Sequence, residues 1–102
     1  MPYFALMYDV ADDFTNTRTP FRPAHVKEVR DAQARGELIM AGALADPAGA
    51  LLVFRAAEKS VAENFAKADP YVNAGLVKQW TVRPWTVVVG HDPAETPPGL
   101  PT

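Results

Sequence analysis

The stretch Ala68-Asp69-Pro70-Tyr71-Val72-Asn73-Ala74-Gly75-Leu76 stops one segment of the chain and aims the next. The ring of Pro70 disfavours the helical conformation at Asp69, so the helical pattern arriving from Ser60 ends here with a carboxylate at the break. Tyr71, Val72 and Leu76 are apolar enough to be buried, and Gly75 permits the tight bend into a strand beginning near Val77. Taken alone, an aspartate before a proline is ordinary turn chemistry. His25, on another helical segment, gives that carboxylate a candidate partner.

Upstream of the break, Ser60 and Glu63 have the spacing of a capping box, and Val61, Phe65 and Ala68 form the buried face expected of this helix. Leu38 to Leu44 is an unbroken apolar run and reads as a strand, with Gly42 inside it marking a bulge or a close approach. Asp46, Pro47, Ala48 and Gly49 then make a tight turn into a further strand, Ala50 to Phe54, so the two strands form a hairpin. Downstream, the last strand changes phase: Trp80 and Val82 point one way, and Trp85, Val87 and Val89 continue on odd positions. Pro84 sits at that change and fits a bulge or a sheet edge, because it cannot donate to a central ladder.

At the start, Tyr3 to Tyr8 is a short, aromatic-rich apolar run and reads as a first strand buried on both faces. Ala11 to Thr19 is polar and reads as a connecting loop, with Arg18 as its one basic residue. Pro20 and Pro23 are both credible first-turn residues of the helix that follows. From Pro23 to about Arg35, Val26, Val29 and Ala32 recur at helical spacing, with Lys27, Glu28, Arg30 and Asp31 largely opposite them, and Gly36 ends the helix. His25 shares a face with Val29, at the edge of the apolar stripe, which suits either a packed histidine or one looking into a pocket.

The order is βαββαβ, an α+β chain of the ferredoxin-like kind with a four-stranded antiparallel sheet and its helices on one face. The second sheet face also wants cover, since strands one and two are apolar at successive positions and strand four carries two tryptophans. A partner sheet in a homodimer would supply it. A chain of 102 residues, 48% hydrophobic, suits one domain, expected over 1–90, followed by a proline-rich tail, 91–102, with too little apolar surface to fold alone. The net charge of −2 and scattered basic residues give no nucleic-acid footprint and no polybasic membrane patch, so small-molecule or protein partners are favoured, with a small-molecule substrate and a second copy of the chain expected. Without cysteine there is no disulfide, and no metal or other cofactor is expected. The first ten residues lack the charges and cleavage site of a signal peptide and no apolar run approaches membrane-spanning length, so a cytoplasmic protein is expected.

Arg22-Pro23-Ala24-His25-Val26 and Ala68-Asp69-Pro70-Tyr71-Val72, with Ala74-Gly75, resemble the two signature segments of the YCII-related (YciI-like) family. Arg18, seven residues before the histidine, Gly42, and Val82-Arg83-Pro84-Trp85 extend the likeness from Tyr3 to about Val89. The chain departs from the commoner pattern in its short turn between strands two and three, the large Trp85 and the longer proline tail. The resemblance implies a dimeric α/β barrel, formed when two ferredoxin-like sheets pack face to face, with a cleft between sheet and helices in each subunit. It also implies that His25 is an acid/base and Asp69 its orienting partner, with Arg18, Arg22, Tyr71 and Trp85 as substrate contacts. The wider superfamily includes muconolactone isomerases, a hydroxyhydroquinone dehydrochlorinase, cofactor-free monooxygenases and haem-binding members.

Three functional readings follow. The first is a cofactor-independent lyase or isomerase acting on a small cyclic or aromatic carbonyl or enol compound. The second is a non-catalytic dimeric domain binding a small ligand in the same cleft, and the third is a cofactor-free or haem-dependent monooxygenase-like protein. Fold alone does not choose among them.

Overall fold

The computed structural model describes residues 1–90; the proline-rich tail expected at 91–102 lies outside the described residues. The elements are β1 (Tyr3–Val10), α1 (Phe14–Thr17), a 3₁₀ turn (Thr19–Phe21), α2 (Arg22–Ala34), β2 (Leu38–Leu44), β3 (Gly49–Arg55), α3 (Ser60–Ala68), α4 (Pro70–Asn73) and β4 (Val77–Trp85). They build a four-stranded antiparallel sheet in the order β2-β3-β1-β4, so the βαββαβ, ferredoxin-like expectation holds.

Strand β1 sits inside the sheet, and its period of two sorts its side chains. Phe4, Leu6, Tyr8 and Val10 are buried under the helices, whereas Met7 and Asp9 are exposed on the other face. The registers Leu6↔Leu52 and Leu6↔Val82 put the neighbouring strands in phase with it, and Phe54, Phe65, Ala62 and Ala66 complete the core. The strand is therefore not buried on both faces within one chain, because the helices cover only one of them.

Several local expectations are corrected. The loop from Ala11 to Thr19 contains a helical turn, α1, and most of it leads straight into the 3₁₀ turn; α2 then begins at Arg22, with Pro23 in its first turn. Ser60 lies inside α3 with Lys59 at the cap position, and its hydroxyl faces Glu58 at 3.3 Å, so no capping box forms. The buried face of α3 is Ala62, Phe65 and Ala66, with Ala68 exposed. In β2 the register shift falls between Leu38 and Met40 and not at Gly42, where an added Cβ would meet nothing within 4 Å. The close approach belongs to Gly49, where a Cβ would lie 2.6 Å from the Tyr8 carbonyl oxygen. Pro84 lies on the edge strand β4 opposite Phe4, and the irregularity on that seam is at Asp9 and Val10. β4 ends at Trp85, short of Val87 and Val89.

Candidate functional site

Asp69 closes α3 and opens α4, in an extended conformation (φ −65°, ψ 124°) that the following proline favours. The kink turns its side chain inward, where it is 0% exposed. Each carboxylate oxygen is engaged. Oδ2 accepts the Tyr8 hydroxyl at 2.6 Å, and Oδ1 accepts the backbone N–H of Tyr71 at 2.9 Å and lies 2.9 Å from His25 Nδ1. A carboxylate can only accept, so Nδ1 carries the hydrogen of this contact and Nε2 is the free nitrogen of a neutral ring.

Stacking holds the ring from one side. His25 lies against Tyr71 with centroids 3.9 Å apart and planes 17° from parallel, and Phe14 meets Tyr71 edge-on at 5.1 Å. Arg18, at the junction of α1 and the 3₁₀ turn, places its guanidinium over Phe14 at 5.8 Å. The polar connection between β1 and α2 thus positions an aromatic stack and an arginine.

A cavity of about 310 Å³ opens between this cluster and the sheet, a size suited to a small molecule. Tyr8, Phe14, Arg18, Arg22, His25 and Tyr71 contribute its polar and aromatic wall, and Val26, Val29 and Leu52 its apolar one. Gly42, Gly49 and the alanines 41, 43 and 50 keep the β2–β3 side open. Burial and the adjacent Asp69 charge push the Tyr8 hydroxyl far above its ordinary range, so it remains a neutral donor. Burial also raises Tyr71, against the opposing pull of Arg18 and Arg22. No cluster of three or more His, Cys, Asp or Glu side chains suited to a metal ion occurs among the described residues.

The structure thus gathers five of the six residues singled out from the sequence: His25, Asp69, Arg18, Arg22 and Tyr71. Trp85 is elsewhere. Paired with Tyr3 on an odd position, it lies on the sheet face without helices, beside Met7 and Leu51. Sequence reading missed Tyr8, Phe14 and Glu28. Tyr8 shares strand parity with Leu6, and a tyrosine on a buried face needs a partner for its hydroxyl. Glu28 falls about 40° from Ala32 around the helix at 100° per residue, which places it beside the buried stripe. Its carboxyl is half-buried and pushed up to about 7, first by desolvation and then by Asp69, with Arg35 opposing.

No curated protein matches the chain by sequence. A solved structure of 5-chloro-2-hydroxyhydroquinone dehydrochlorinase from Burkholderia phenoliruptrix, in complex with 2,5-dihydroxybenzoquinone, superposes with a TM-score of 0.69. The likeness covers 81% of this chain and 92% of that one at 20% identity, and at that identity it speaks for the fold. The two share an α+β architecture, here a four-stranded antiparallel sheet with its helices. Residues 1–86 match the model of the YCII-related domain, and the chain belongs to the YCII-related family.

Proposed function

We propose that the protein is a cofactor-independent lyase or isomerase that moves a proton on a small cyclic or aromatic carbonyl or enol compound, with His25 as acid and base and Asp69 as its orienting partner. The observation that carries this reading is the 2.9 Å contact between His25 Nδ1 and the wholly buried Asp69, which leaves Nε2 for the cavity. Nε2 takes a proton from a carbon beside a carbonyl or from an enol hydroxyl, and the electron pair left behind moves into the ring as an enolate. The imidazolium then returns the proton at another carbon, giving an isomer, or the electron pair forms a double bond to the neighbouring carbon as the bond from that carbon to a leaving group such as chloride breaks, and the imidazolium gives its proton to water. Asp69 stabilises the imidazolium in between. Arg18, Arg22 and Tyr71 line the cavity, which supports a role for the arginines in holding the enolate oxygen and for Tyr71 as an aromatic surface against a flat ring.

The dehydrochlorinase of similar fold, bound to a dihydroxybenzoquinone, suggests where to look first. Turnover should be screened on hydroxyquinols, their chlorinated derivatives and lactones, with chloride release and ultraviolet spectra as readouts. Turnover of any of these that is lost in His25→Ala supports the reading. Tight binding of such rings with no turnover would make the cavity a ligand-binding site instead.

The functional unit is a homodimer joined through the sheet face that lacks helices. On that face Met7, Met40 and Trp85 are 39%, 64% and 44% exposed, three large apolar side chains that the same face of a second copy would cover.

A further inference from the structure

Glu28 stands one turn along α2 from His25 and reaches into a second cleft, of about 310 Å³, between α2 and α3. Phe54, Val61, Phe65 and Ala68 line it, with Asn64, Arg35 and Glu37 as its polar groups. The Oε1 atom of Glu28 is buried there without a hydrogen-bond partner among the described residues. An unpaired buried polar atom is costly, and where a native fold keeps one it calls for a reason.

We propose that Glu28 is a positioning residue for the His25–Asp69 pair: its carboxyl, acting from the α2–α3 cleft, is the switchable charge that sets how firmly the imidazole holds a proton. This rests on the acid–base reading of His25, but its test does not require turnover. The groups that face Glu28 are few. Asp69 acts on it from the α3–α4 junction, Tyr8 from β1 and Arg35 from the end of α2. Glu37 is tied to Arg35 at 2.9 Å, and α3 offers the cleft only the neutral Asn64.

Burial and the Asp69 charge push the Glu28 carboxyl up to about 7, so it changes charge near neutrality. Tyr8 stays neutral, which leaves Glu28 as the group whose charge changes behind Asp69. Ionised, it adds a second negative charge there and favours the imidazolium over the imidazole. A proton accepted at Nε2 is then held more firmly, and with Glu28 neutral it is released more readily. Glu28 itself touches no substrate and relays no proton.

The test is an NMR titration of the full chain through neutral pH, following the His25 imidazole nitrogens and the Glu28 carboxyl carbon. Glu28 should titrate near neutrality, and the His25 signals should show a second inflection at the same midpoint. Glu28→Gln should abolish that inflection. Arg35→Gln, which leaves Glu28 in place, should move the Glu28 midpoint and the His25 inflection upward together. A Glu28 midpoint in the ordinary carboxyl range, or His25 curves identical in wild type and Glu28→Gln, overturns the proposal while leaving the acid–base reading standing. Coupled titration in a protein that turns over nothing supports the coupling and counts against catalysis.

Discussion

At Asp69 a carboxylate is taken wholly out of water, and the Tyr8 hydroxyl, the Tyr71 amide and His25 Nδ1 replace the hydration it loses. The three donors differ in kind. Tyr8 is buried with the aspartate, so Tyr8→Phe should leave Oδ2 unsatisfied and lower stability by about 1.5–3 kcal/mol, read from the urea midpoint. His25 is 18% exposed, and in His25→Ala the aspartate keeps two donors, so the loss should be about 1 kcal/mol. On a true substrate, however, His25→Ala should reduce turnover about 10²- to 10⁴-fold while affinity stays within a few-fold. Comparable turnover by the two proteins would remove His25 from the chemistry. Glu28 adds a pH dependence of definite sign. Its folded value of about 7 lies above the ordinary 4.5, so between these the folded state holds more protons than the unfolded one. Its contribution is present below pH 4.5 and is lost as pH rises through 7. Stability should fall more steeply across that window in wild type than in Glu28→Gln, measured by urea unfolding at each end.

The short helix α4 exists because Asp69 caps it and Pro70 cannot continue α3; the capping contact, Asp69 Oδ1 to the Tyr71 amide, also fixes the carboxylate for His25. A similar economy appears at Gly49, where β3 passes so near the Tyr8 carbonyl that any side chain would collide with backbone. Gly49→Ala should therefore push β3 from β1 and cost about 1–3 kcal/mol, with the Tyr8–Asp69 contact loosened; an unchanged thermal midpoint would show that the strands yield freely. How much of this the sequence disclosed follows from range of interaction. The four strands and two long helices were legible because apolar runs alternate with Pro, Gly and Asp punctuation, and the helix stop at Asp69 is set by its immediate neighbour. The phase of α3 was not legible. Val61, Phe65 and Ala68 have acceptable spacing, yet the small Ala62 and Ala66 are the ones at 0% exposure, because alanines let a helix sit close to a sheet. Likewise α1 is too short to show a period, and its order comes from tertiary contacts such as Phe14 against Tyr71. Of the site, the motif residues were legible and Tyr8 and Glu28 were not, since Tyr8 meets Asp69 from a distant strand and the burial of Glu28 depends on α3 packing beside α2.

Across the whole molecule the sheet divides two tasks. Its helix-covered face carries the cavity, and its other face leaves Met7, Met40 and Trp85 exposed, while Val53 on the same face is buried and lines a hollow with Val87 and Val89. The phase change in β4 has its explanation in this division: Trp80 and Val82 pack toward the core while Trp85 faces outward, so the two tryptophans serve opposite faces. A dimer made by apposing two such faces would remove this surface from water and would place Trp85 at the interface and not at the ligand. Met7 is the sharpest probe, because it sits on the interior strand β1, between Leu51 and Thr81. Light scattering at micromolar concentration should show a dimer for the wild type and a monomer for Met7→Lys, since a buried lysine on a two-fold interface would meet its own copy. The core-facing residues are untouched by that substitution, so the monomeric variant should keep its fold and the His25–Asp69 contact, visible in the His25 imidazole signals. A wild-type monomer would refute the dimer. A dimer that survives Met7→Lys would move the interface away from the centre of this face.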